Sequence, residues 1–297
     1  MKTSFKLPKM ENILQTCRVN SLRWHFLNHR KDDIVIASYP KSGTTWTQAI
    51  VKHLIFINEE NNEPLFMLSP YLENRGNPLE DILFRLEKQT HRRFIKSHLK
   101  FDYLPYKKTV KYIYVGRDGR DVAMSLWTHY KNFNKDRILL LNKLPGRVGD
   151  EFPECPEDIH VFFKNWISRG WREDEPDGYP YQSFFQTVQS WWNKRHLRNI
   201  LLIHYNDLSN NLEKEISRIA NFLSINLSED KLRCIVDDCK FEKMKKKHLL
   251  YTGLGSDFFH EGTNKRWLST LRGSDLDSYV SASKKYLSTE CRNWIDR

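Results

Sequence analysis

The chain is poor in cysteine and has none of the patterns in which cysteines usually act together. Its five cysteines are odd in number, form no C-x-x-C pair and show no zinc-binding spacing. These features exclude a disulfide framework of the secreted type and predict reduced thiols. No run of 18 apolar residues occurs, and residues 1–15 lack the apolar core of a signal peptide. We therefore expect a cytoplasmic protein.

Acidic residues are too few to balance the basic ones. Aspartate and glutamate number 37 against 48 lysines and arginines, which leaves a formal net charge of +11. This excess favours a polyanionic partner such as a nucleotide, a nucleic acid or a membrane surface, and a solvated basic face explains it equally well. Hydrophobic residues make up 39% of the chain, which excludes general disorder and predicts a packed globular protein.

The stretch from residue 33 to residue 58 predicts an anion-binding loop. Residues 34–37 are mostly β-branched and apolar, as in a buried strand, and Pro40 and Gly43 then break the run. Apolar residues recur at helical spacing after Thr44. A loop between a strand and a helix aims backbone N–H groups at one point, where the helix dipole favours negative charge. The loop adds the positive charge of Lys41 and the three hydroxyl groups of Ser42, Thr44 and Thr45.

This loop differs from that of the P-loop NTPases. Their motif, G-x-x-x-x-G-K-[ST], places the lysine after the second glycine, whereas Lys41 precedes the single glycine of this loop. An ordinary turn with polar residues is the alternative to a phosphate cradle. The order YPKSGTTW, residues 39–46, resembles the 5′-phosphosulfate loop of the cytosolic sulfotransferases. The resemblance implies that residues 41–45 hold the 5′-phosphate of the donor and that Trp46 stacks on its adenine.

A second pattern places a cation and an imidazole together. Residues 94–99 predict a short strand, and the period-2 spacing of Lys96 and His98 puts both side chains on one face. Histidine takes up a proton near neutral pH, and a neighbouring cation keeps it neutral. A lone histidine is more often structural than catalytic. The sequence IKSHL nevertheless resembles the strand that carries the catalytic base of the family, which implies that His98 is the base and that Lys96 lies near the sulfuryl group.

A third pattern follows the strand predicted over residues 111–115. Gly116 and Gly119 permit a tight turn into a helix, and Arg117 and Ser125 could converge on one anion. The alternative is that Arg117 pairs with Asp118 or Asp121. The stretch RDGRDVAMS, residues 117–125, resembles the second signature of the family, in which the matching arginine and serine hold the 3′-phosphate of the donor.

The last third of the chain carries weaker matches. Residues 199–208 predict a fourth buried strand, and Tyr205 matches a tyrosine that the family places near the adenine. Phe241 and Met244 match a motif in which Lys240 here replaces a serine. The final signature matches at Gly262 and Trp267, whereas His260 and Glu261 stand where the family has two basic residues. Lys265 and Arg266 are our candidates for the missing positive charge.

Candidates for the acceptor pocket are aromatic or titratable. Phe66 and Tyr71 lie in an aromatic loop outside the predicted sheet, Phe101 follows the second strand, and His129 lies one helical turn beyond Ser125. Such residues could form the wall of a pocket, and satellite core packing explains each of them singly.

Together these patterns predict one α/β domain over residues 1–297, a P-loop-like, doubly wound parallel sheet with helices on both faces. We expect a surface segment over residues 1–31, a core over 32–270 and a C-terminal helix over 271–297. The resemblance, to a bacterial-like aryl or alcohol sulfotransferase, implies transfer of a sulfuryl group from 3′-phosphoadenosine 5′-phosphosulfate (PAPS) to a hydroxyl or amine of a small molecule. The product is 3′,5′-adenosine bisphosphate (PAP).

The resemblance also implies roles for three side chains and for partners. His98 would deprotonate the acceptor, Lys41 would stabilise the bridging oxygen, and Lys96 would stabilise the sulfuryl oxygens. The chain shows no carboxylate cluster that suggests a metal, and we expect no metal, nucleic-acid or membrane partner. The alternatives are a P-loop-type nucleotide kinase and a non-enzymatic nucleic-acid-binding protein.

Overall fold

The computed structural model describes residues 13–144, 146, 148–252, 262 and 264–297. At its centre is a sheet of four parallel strands, β1 (Ile34–Ser38), β2 (Phe94–Ser97), β3 (Lys111–Gly116) and β4 (Ile200–His204). Their order across the sheet is β2-β1-β3-β4. All four predicted strands are therefore confirmed.

The register of the strands brings their carboxyl ends to one edge of the sheet. Ile34 lies opposite both Phe94 and Lys111, and Gly116 lies opposite His204. When both faces of a parallel sheet are covered, the sequences of its strands are continuous apolar runs. In agreement with this rule, every residue of β1 is buried. The loop after each strand consequently opens on the same side of the molecule.

Helices cover both faces of the sheet. Between β1 and β4 the structure has α1 (Thr44–Ile55), α2 (Leu65–Leu68), α3 (Leu79–Lys88), α4 (Gly119–Lys131), α5 (Lys135–Asn142), α6 (Ile159–Ser168) and α7 (Phe184–Trp192). After β4 it has α8 (Tyr205–Asn210), α9 (Leu212–Phe222), α10 (Glu229–Asp238), α11 (Phe241–Lys246), α12 (His248–Thr252), α13 (Gly273–Tyr286) and α14 (Thr289–Ile295). Short 3₁₀ helices span Ser21–Phe26, Phe101–Tyr103 and Arg266–Ser269. In the described part of the chain no helix is long and apolar enough to cross a bilayer.

Alternate residues of β1 point into different cores. Ile34 and Ile36 pack with α1 and α9, whereas Val35 and Ala37 pack with Trp24 and with Trp191 of α7. The period-2 alternation of a strand produces this division. The predicted fold class, a doubly wound parallel sheet with helices on both faces, is confirmed.

The two ends of the chain differ from expectation. Residues 13–31 are not confined to the surface, because Leu14 and Trp24 are fully buried and the indole N–H of Trp24 donates to Glu73 at 2.8 Å. Residues 271–297 form two helices, α13 and α14, rather than one. The stretch 131–155, which lacks a clear periodicity, contains α5, whose first turn is capped when Asn134 accepts the N–H of Arg137 at 2.8 Å.

Candidate active site

A cavity of about 370 Å³ lies at the carboxyl edge of the sheet. It is bordered by the loop after β1, the end of β2, the turn after β3 and the start of α8. Of the residues predicted for the site, those that line the cavity are Lys41, Gly43, Thr44, Thr45, Trp46, Tyr71, Lys96, His98, Arg117, Ser125, His129, Tyr205, Phe241, Met244, Gly262 and Arg266. Residues far apart in sequence therefore meet at one place.

The loop after β1 depends on unusual backbone conformations. Gly43 has a φ of 109°, and a Cβ atom there would lie 2.9 Å from the Tyr205 ring. Lys41 has a φ of 69°, in the left-handed region. The N–H of Ser42 donates to the carbonyl of Tyr39 at 3.2 Å, which closes the turn. Only glycine fits at position 43, because it tolerates both this φ and the close approach of the tyrosine.

The hydroxyls of the loop differ in their partners. Thr44 Oγ1 lies 2.5 Å from the hydroxyl of Ser38 at the end of β1. The hydroxyl of Ser42 is buried and has no hydrogen-bond partner among the described residues. A buried polar group without a partner costs free energy unless a ligand satisfies it. Ser42 is not among the residues that line the cavity, whereas Thr44 and Thr45 at the start of α1 are. The helix start therefore suits an oxyanion, and the Ser42 hydroxyl next to it in the loop would gain a partner only from an oxyanion that reaches it.

Two lysines of the site repel each other. The pKa of Lys41 is lowered to about 7, first by burial and then by the charges of Lys96 and Arg117. Burial is also the main cause that lowers the pKa of Lys96 to about 8. The ammonium group of Lys96 lies 5.1 Å from the centre of the Tyr71 ring. An anion between these cations would relieve their repulsion, so the cavity is preorganised for negative charge.

His98 is held as a neutral base. Its Nδ1 atom lies 2.9 Å from the carbonyl oxygen of Ser38, which can only accept, so Nδ1 carries the proton and Nε2 can accept one. The pKa of His98 is well below its usual value, first because of burial and then because of the Lys96 charge. Its main-chain N–H donates to Glu73 at 2.6 Å, and the Gln182 side chain donates to its carbonyl.

Arg117 contacts both the loop and an aromatic ring. Its guanidinium donates to the carbonyl of Lys41 at 3.2 Å and to the Asn264 side chain at 2.9 Å. The guanidinium carbon lies 4.1 Å from the centre of the Tyr205 ring. Asp118, one candidate for pairing with Arg117, forms an ion pair with Arg120 at 2.5 Å. Arg117 is thus fixed against the cradle loop.

Aromatic side chains surround the other end of the cavity. Trp46 and Tyr205 meet edge to face with their ring centres 5.5 Å apart, and the Trp46 indole N–H donates to the carbonyl of Cys239 at 2.8 Å. A Cβ atom on Gly262 would lie 2.7 Å from the Phe241 ring. Glycine at position 262 therefore lets the chain approach this ring closely.

Only part of the last family signature, residues 260–267, lies within the described residues. Lys265 does not line the cavity, and its main-chain N–H donates to Asp121 at 2.7 Å, whereas Arg266 does line it. His260 and Glu261 lie outside the described residues.

Two candidates for the acceptor pocket lie elsewhere. Phe66 is 48% exposed on α2 and does not border the cavity. Phe101 is buried against Trp191, with ring centres 5.3 Å apart, and also does not border it. Phe101 has the core position that phenylalanine commonly occupies, whereas Phe66 is an apolar side chain exposed at the surface. Residues of the wall that the motifs did not indicate are Arg18, Asn74, Gly76, Leu126, Thr128, Phe133, Arg137, Leu141 and Tyr181.

Comparison with known proteins assigns the chain to a family. Residues 31–288 match the model of the sulfotransferase domain. The chain belongs to the sulfotransferase family. A glycolipid sulfotransferase of Mycobacterium bovis (strain BCG / Pasteur 1173P2) is 32% identical over 249 residues, which cover 79% of this sulfotransferase and 76% of the relative. Sulfotransferase 1B1 of Mus musculus is 32% identical over 280 residues, which cover 86% and 83% of the two chains.

Solved structures share the fold of this sulfotransferase. Mouse sulfotransferase SULT7A1 complexed with PAP matches with a TM-score of 0.70 and 21% identity over 91% of this chain and 89% of that one. Retinol dehydratase in complex with androsterone and PAP matches with a TM-score of 0.67 and 25% identity over 91% and 87% of the two chains.

These relationships confirm the predicted activity at the level of the family. The chain is therefore an enzyme of the class that transfers sulfuryl groups, and the retinol dehydratase structure that it resembles holds PAP. A nucleotide kinase and a nucleic-acid-binding protein are not favoured. Within the described residues no group of three or more histidine, cysteine, aspartate or glutamate side chains is arranged to hold a metal ion. Metal-independent transfer stays a prediction.

Proposed function

We propose that the sulfotransferase holds the two ends of PAPS at two places in this cavity. The 5′-phosphosulfate would bind to the loop of residues 41–45, where the buried Ser42 hydroxyl lacks a partner among the described residues. The 3′-phosphate would bind to Arg117 and Ser125, which line the same cavity. Arg117 touches the loop directly through the carbonyl of Lys41, which supports one continuous nucleotide site.

The adenine would lie between aromatic side chains. Trp46, Tyr205 and Phe241 line one region of the cavity, with Met244 and Gly262 beside them. Aromatic faces bind bases by stacking. The Trp46 hydrogen bond to the Cys239 carbonyl fixes the orientation of the indole in advance.

Catalysis would begin with removal of a proton from the acceptor. Nε2 of His98 takes the proton of the acceptor hydroxyl or amine while the acceptor atom forms a bond to sulfur. The bond between sulfur and the bridging oxygen breaks, and that oxygen leaves with the 5′-phosphate of PAP. Lys41 stabilises the negative charge on the bridging oxygen and Lys96 that on the sulfuryl oxygens. The single observation that carries this proposal is the hydrogen bond of His98 Nδ1 to Ser38, which leaves Nε2 as the proton acceptor.

The acceptor would be a small molecule that reaches His98 past Tyr71 and His129, both of which line the cavity. A relative named for glycolipids and a retinol dehydratase structure that holds androsterone support a hydroxyl as the nucleophile. We further propose that transfer needs no metal ion. We also propose that the protein acts in the cytoplasm, where its five cysteines, all free of disulfides, stay reduced.

Transfer of radiolabelled sulfate from PAPS to a panel of phenols, alcohols, sterols and amines, with and without EDTA, tests the proposal. We expect EDTA-insensitive transfer to at least one acceptor and competitive inhibition by PAP against PAPS. No transfer to any acceptor, together with no heat of PAP binding in calorimetry, would contradict it.

A further inference from the structure

The wall of the cavity carries more positive charge than the donor site uses. Six lining residues are lysine or arginine, and Asp121 is the one acidic residue among the lining residues that the structure describes. Lys41, Lys96 and Arg117 belong to the proposed donor site, and Arg266 lies at its edge. The other two cations are Arg18 and Arg137, which the motifs do not include.

Arg18 comes from the N-terminal segment and is held in a fixed place. Its main-chain N–H donates to the Thr16 hydroxyl at 3.1 Å, and its carbonyl accepts the N–H of Arg75 at 2.9 Å. The guanidinium carbon lies 4.6 Å from the ring centre of Tyr181 and 5.1 Å from that of Phe152. Both rings are buried. The two rings hold the half-buried guanidinium in position by cation–π contact.

Arg137 approaches the same region from α5. Its guanidinium carbon lies 4.0 Å from the ring centre of Phe133, which lines the cavity. Arg137 is exposed, so it stands at the mouth of the cavity rather than inside it. The ring centre of Phe133 lies 6.3 Å from that of Phe152, the ring that Arg18 contacts, so the two guanidiniums lie against neighbouring rings of one wall.

The same two arginines also influence the histidines at the end of the cavity where we propose that the acceptor binds. The pKa of His129 is well below its usual value because of burial and of nearby cations, among them Arg18 and Arg137. Arg18 also contributes to the lowered pKa of His98. Neither Arg18 nor Arg137 forms an ion pair with a carboxylate of the described residues. A neutral acceptor would leave the half-buried Arg18 guanidinium with the cation–π contacts of its two rings and with no anionic partner.

We propose that the acceptor carries an anionic group, a carboxylate or a phosphate, which binds to Arg18 with Arg137 at the mouth of the cavity. A planar guanidinium recognises such oxyanions through paired hydrogen bonds, and Phe133, Tyr181 and Leu141 would pack against the apolar part of the same molecule. This inference rests on the proposed function and narrows its acceptor to hydroxylated acids.

Binding to the enzyme–PAP complex tests the inference without turnover. Phenylacetate and its neutral amide, phenylacetamide, have nearly the same shape and lack the hydroxyl that would be sulfated. We expect calorimetry to show that phenylacetate binds at least about ten times more tightly, the range of one charge-assisted hydrogen bond. Phenyl phosphate in place of phenylacetate shows which of the two oxyanions the wall prefers.

Variants identify the responsible side chain. Arg18→Gln should weaken phenylacetate binding about tenfold to a hundredfold and leave phenylacetamide binding unchanged. Arg18→Lys should keep part of the preference, and Arg137→Gln should cost less than Arg18→Gln because Arg137 is exposed. The matched control is Arg198→Gln, since Arg198 is exposed and precedes β4, at the opposite edge of the sheet.

Three results would overturn the inference. The first is equal affinity of the wild-type complex for the acid and the amide. The second is an equal loss of both ligands in Arg18→Gln, which would make Arg18 a purely structural residue. The third is a loss confined to PAP, which would assign the arginine to the nucleotide. Failure of the proposed function is distinct, because it would appear as the absence of PAP binding and of any sulfuryl transfer in the wild-type protein.

Discussion

Nδ1 of His98, one residue past the end of β2, lies 2.9 Å from the main-chain oxygen of Ser38 at the end of β1. These two strands are neighbours in the sheet, with Ala37 opposite Ser97. The backbone of one strand therefore sets the tautomer of a histidine that follows the other. A main-chain carbonyl cannot move unless its strand moves. The position of β1 in the sheet therefore fixes the orientation of the His98 imidazole.

Replacing His98 by alanine tests its role as the base. We expect turnover to fall by about 10²–10⁴, the range for a general base, because the alanine side chain cannot accept the proton of the nucleophile. PAP affinity, measured by calorimetry, should change little. The matched control is His196→Ala, which removes an exposed histidine before β4 and should keep wild-type turnover. Near-wild-type turnover of His98→Ala would remove His98 from the mechanism.

Replacing Ser42 by alanine should separate binding from stability. The Ser42 hydroxyl is buried without a partner among the described residues, so its removal should leave the free energy of unfolding unchanged or raise it by about 1 kcal/mol. PAP affinity should fall about tenfold, because the 5′-phosphate loses one donor. Denaturant unfolding and calorimetry measure the two quantities.

Ser97→Ala is the matched control for this variant. The Ser97 hydroxyl donates to the buried Glu73 carboxylate at 2.9 Å, so its loss should lower the free energy of unfolding by about 1–3 kcal/mol. If Ser42→Ala also destabilised the PAP-free protein by this amount, the hydroxyl would have a structural partner and the argument for an oxyanion would fail.

The loop conformation predicts a specific cost for Gly43→Ala. A φ of 109° and a contact of 2.9 Å to Tyr205 both oppose a Cβ atom, and the left-handed backbone alone costs about 1–2 kcal/mol. We expect a lower melting temperature and a loss of PAP affinity of at least about tenfold, because the loop must shift. Gly273→Ala is the control, since a Cβ atom there meets nothing within 4 Å. Equal behaviour of the two variants would show that the loop tolerates a side chain.

The lowered lysine pKa values predict that nucleotide binding takes up protons. The pKa of Lys41 is about 7, so at pH 8 this lysine is mostly neutral in the nucleotide-free protein. A phosphate beside it would favour the ammonium form and raise the pKa, and the same holds for Lys96 with its pKa of about 8. Affinity for PAP should therefore fall as pH rises from 7 to about 9. Calorimetry at pH 8 in two buffers of different ionisation enthalpy measures the uptake.

Lys41→Arg provides the comparison for this prediction, because arginine does not titrate in this range. Its proton uptake should be smaller than that of the wild type. Binding heats that do not depend on the buffer in the wild-type protein would contradict the lowered pKa values.

Local patterns were sufficient to predict the strands and the strand–loop–helix structure of β1 and α1. In β1 and α1 the apolar run, the breaking residues and the helical spacing lie within one short stretch, so their structure depends little on the rest of the chain. The pairing of Lys96 and His98 on one face also follows from the period of a strand. These features could be read without knowing which residues meet across the fold.

The remainder of the wall depends on long-range packing. Arg18 reaches the cavity because Leu14 and Trp24 are buried in the core, and the Trp24 indole donates to Glu73, 49 residues away. Nothing in the local sequence specifies that contact. Phe66 and Tyr71 are both aromatic and only five residues apart, yet Phe66 on α2 is exposed and Tyr71, after that helix, lines the cavity. Which of the two side chains reaches the cavity is set by tertiary contacts, which composition does not encode.

A crystal structure of the protein with PAP tests the central claim most directly. We predict that the 5′-phosphate accepts hydrogen bonds from the loop of residues 41–45, including the Ser42 hydroxyl, and that the 3′-phosphate lies between Arg117 and Ser125. PAP bound outside this cavity, or bound in it with its phosphates away from these two places, would contradict the account.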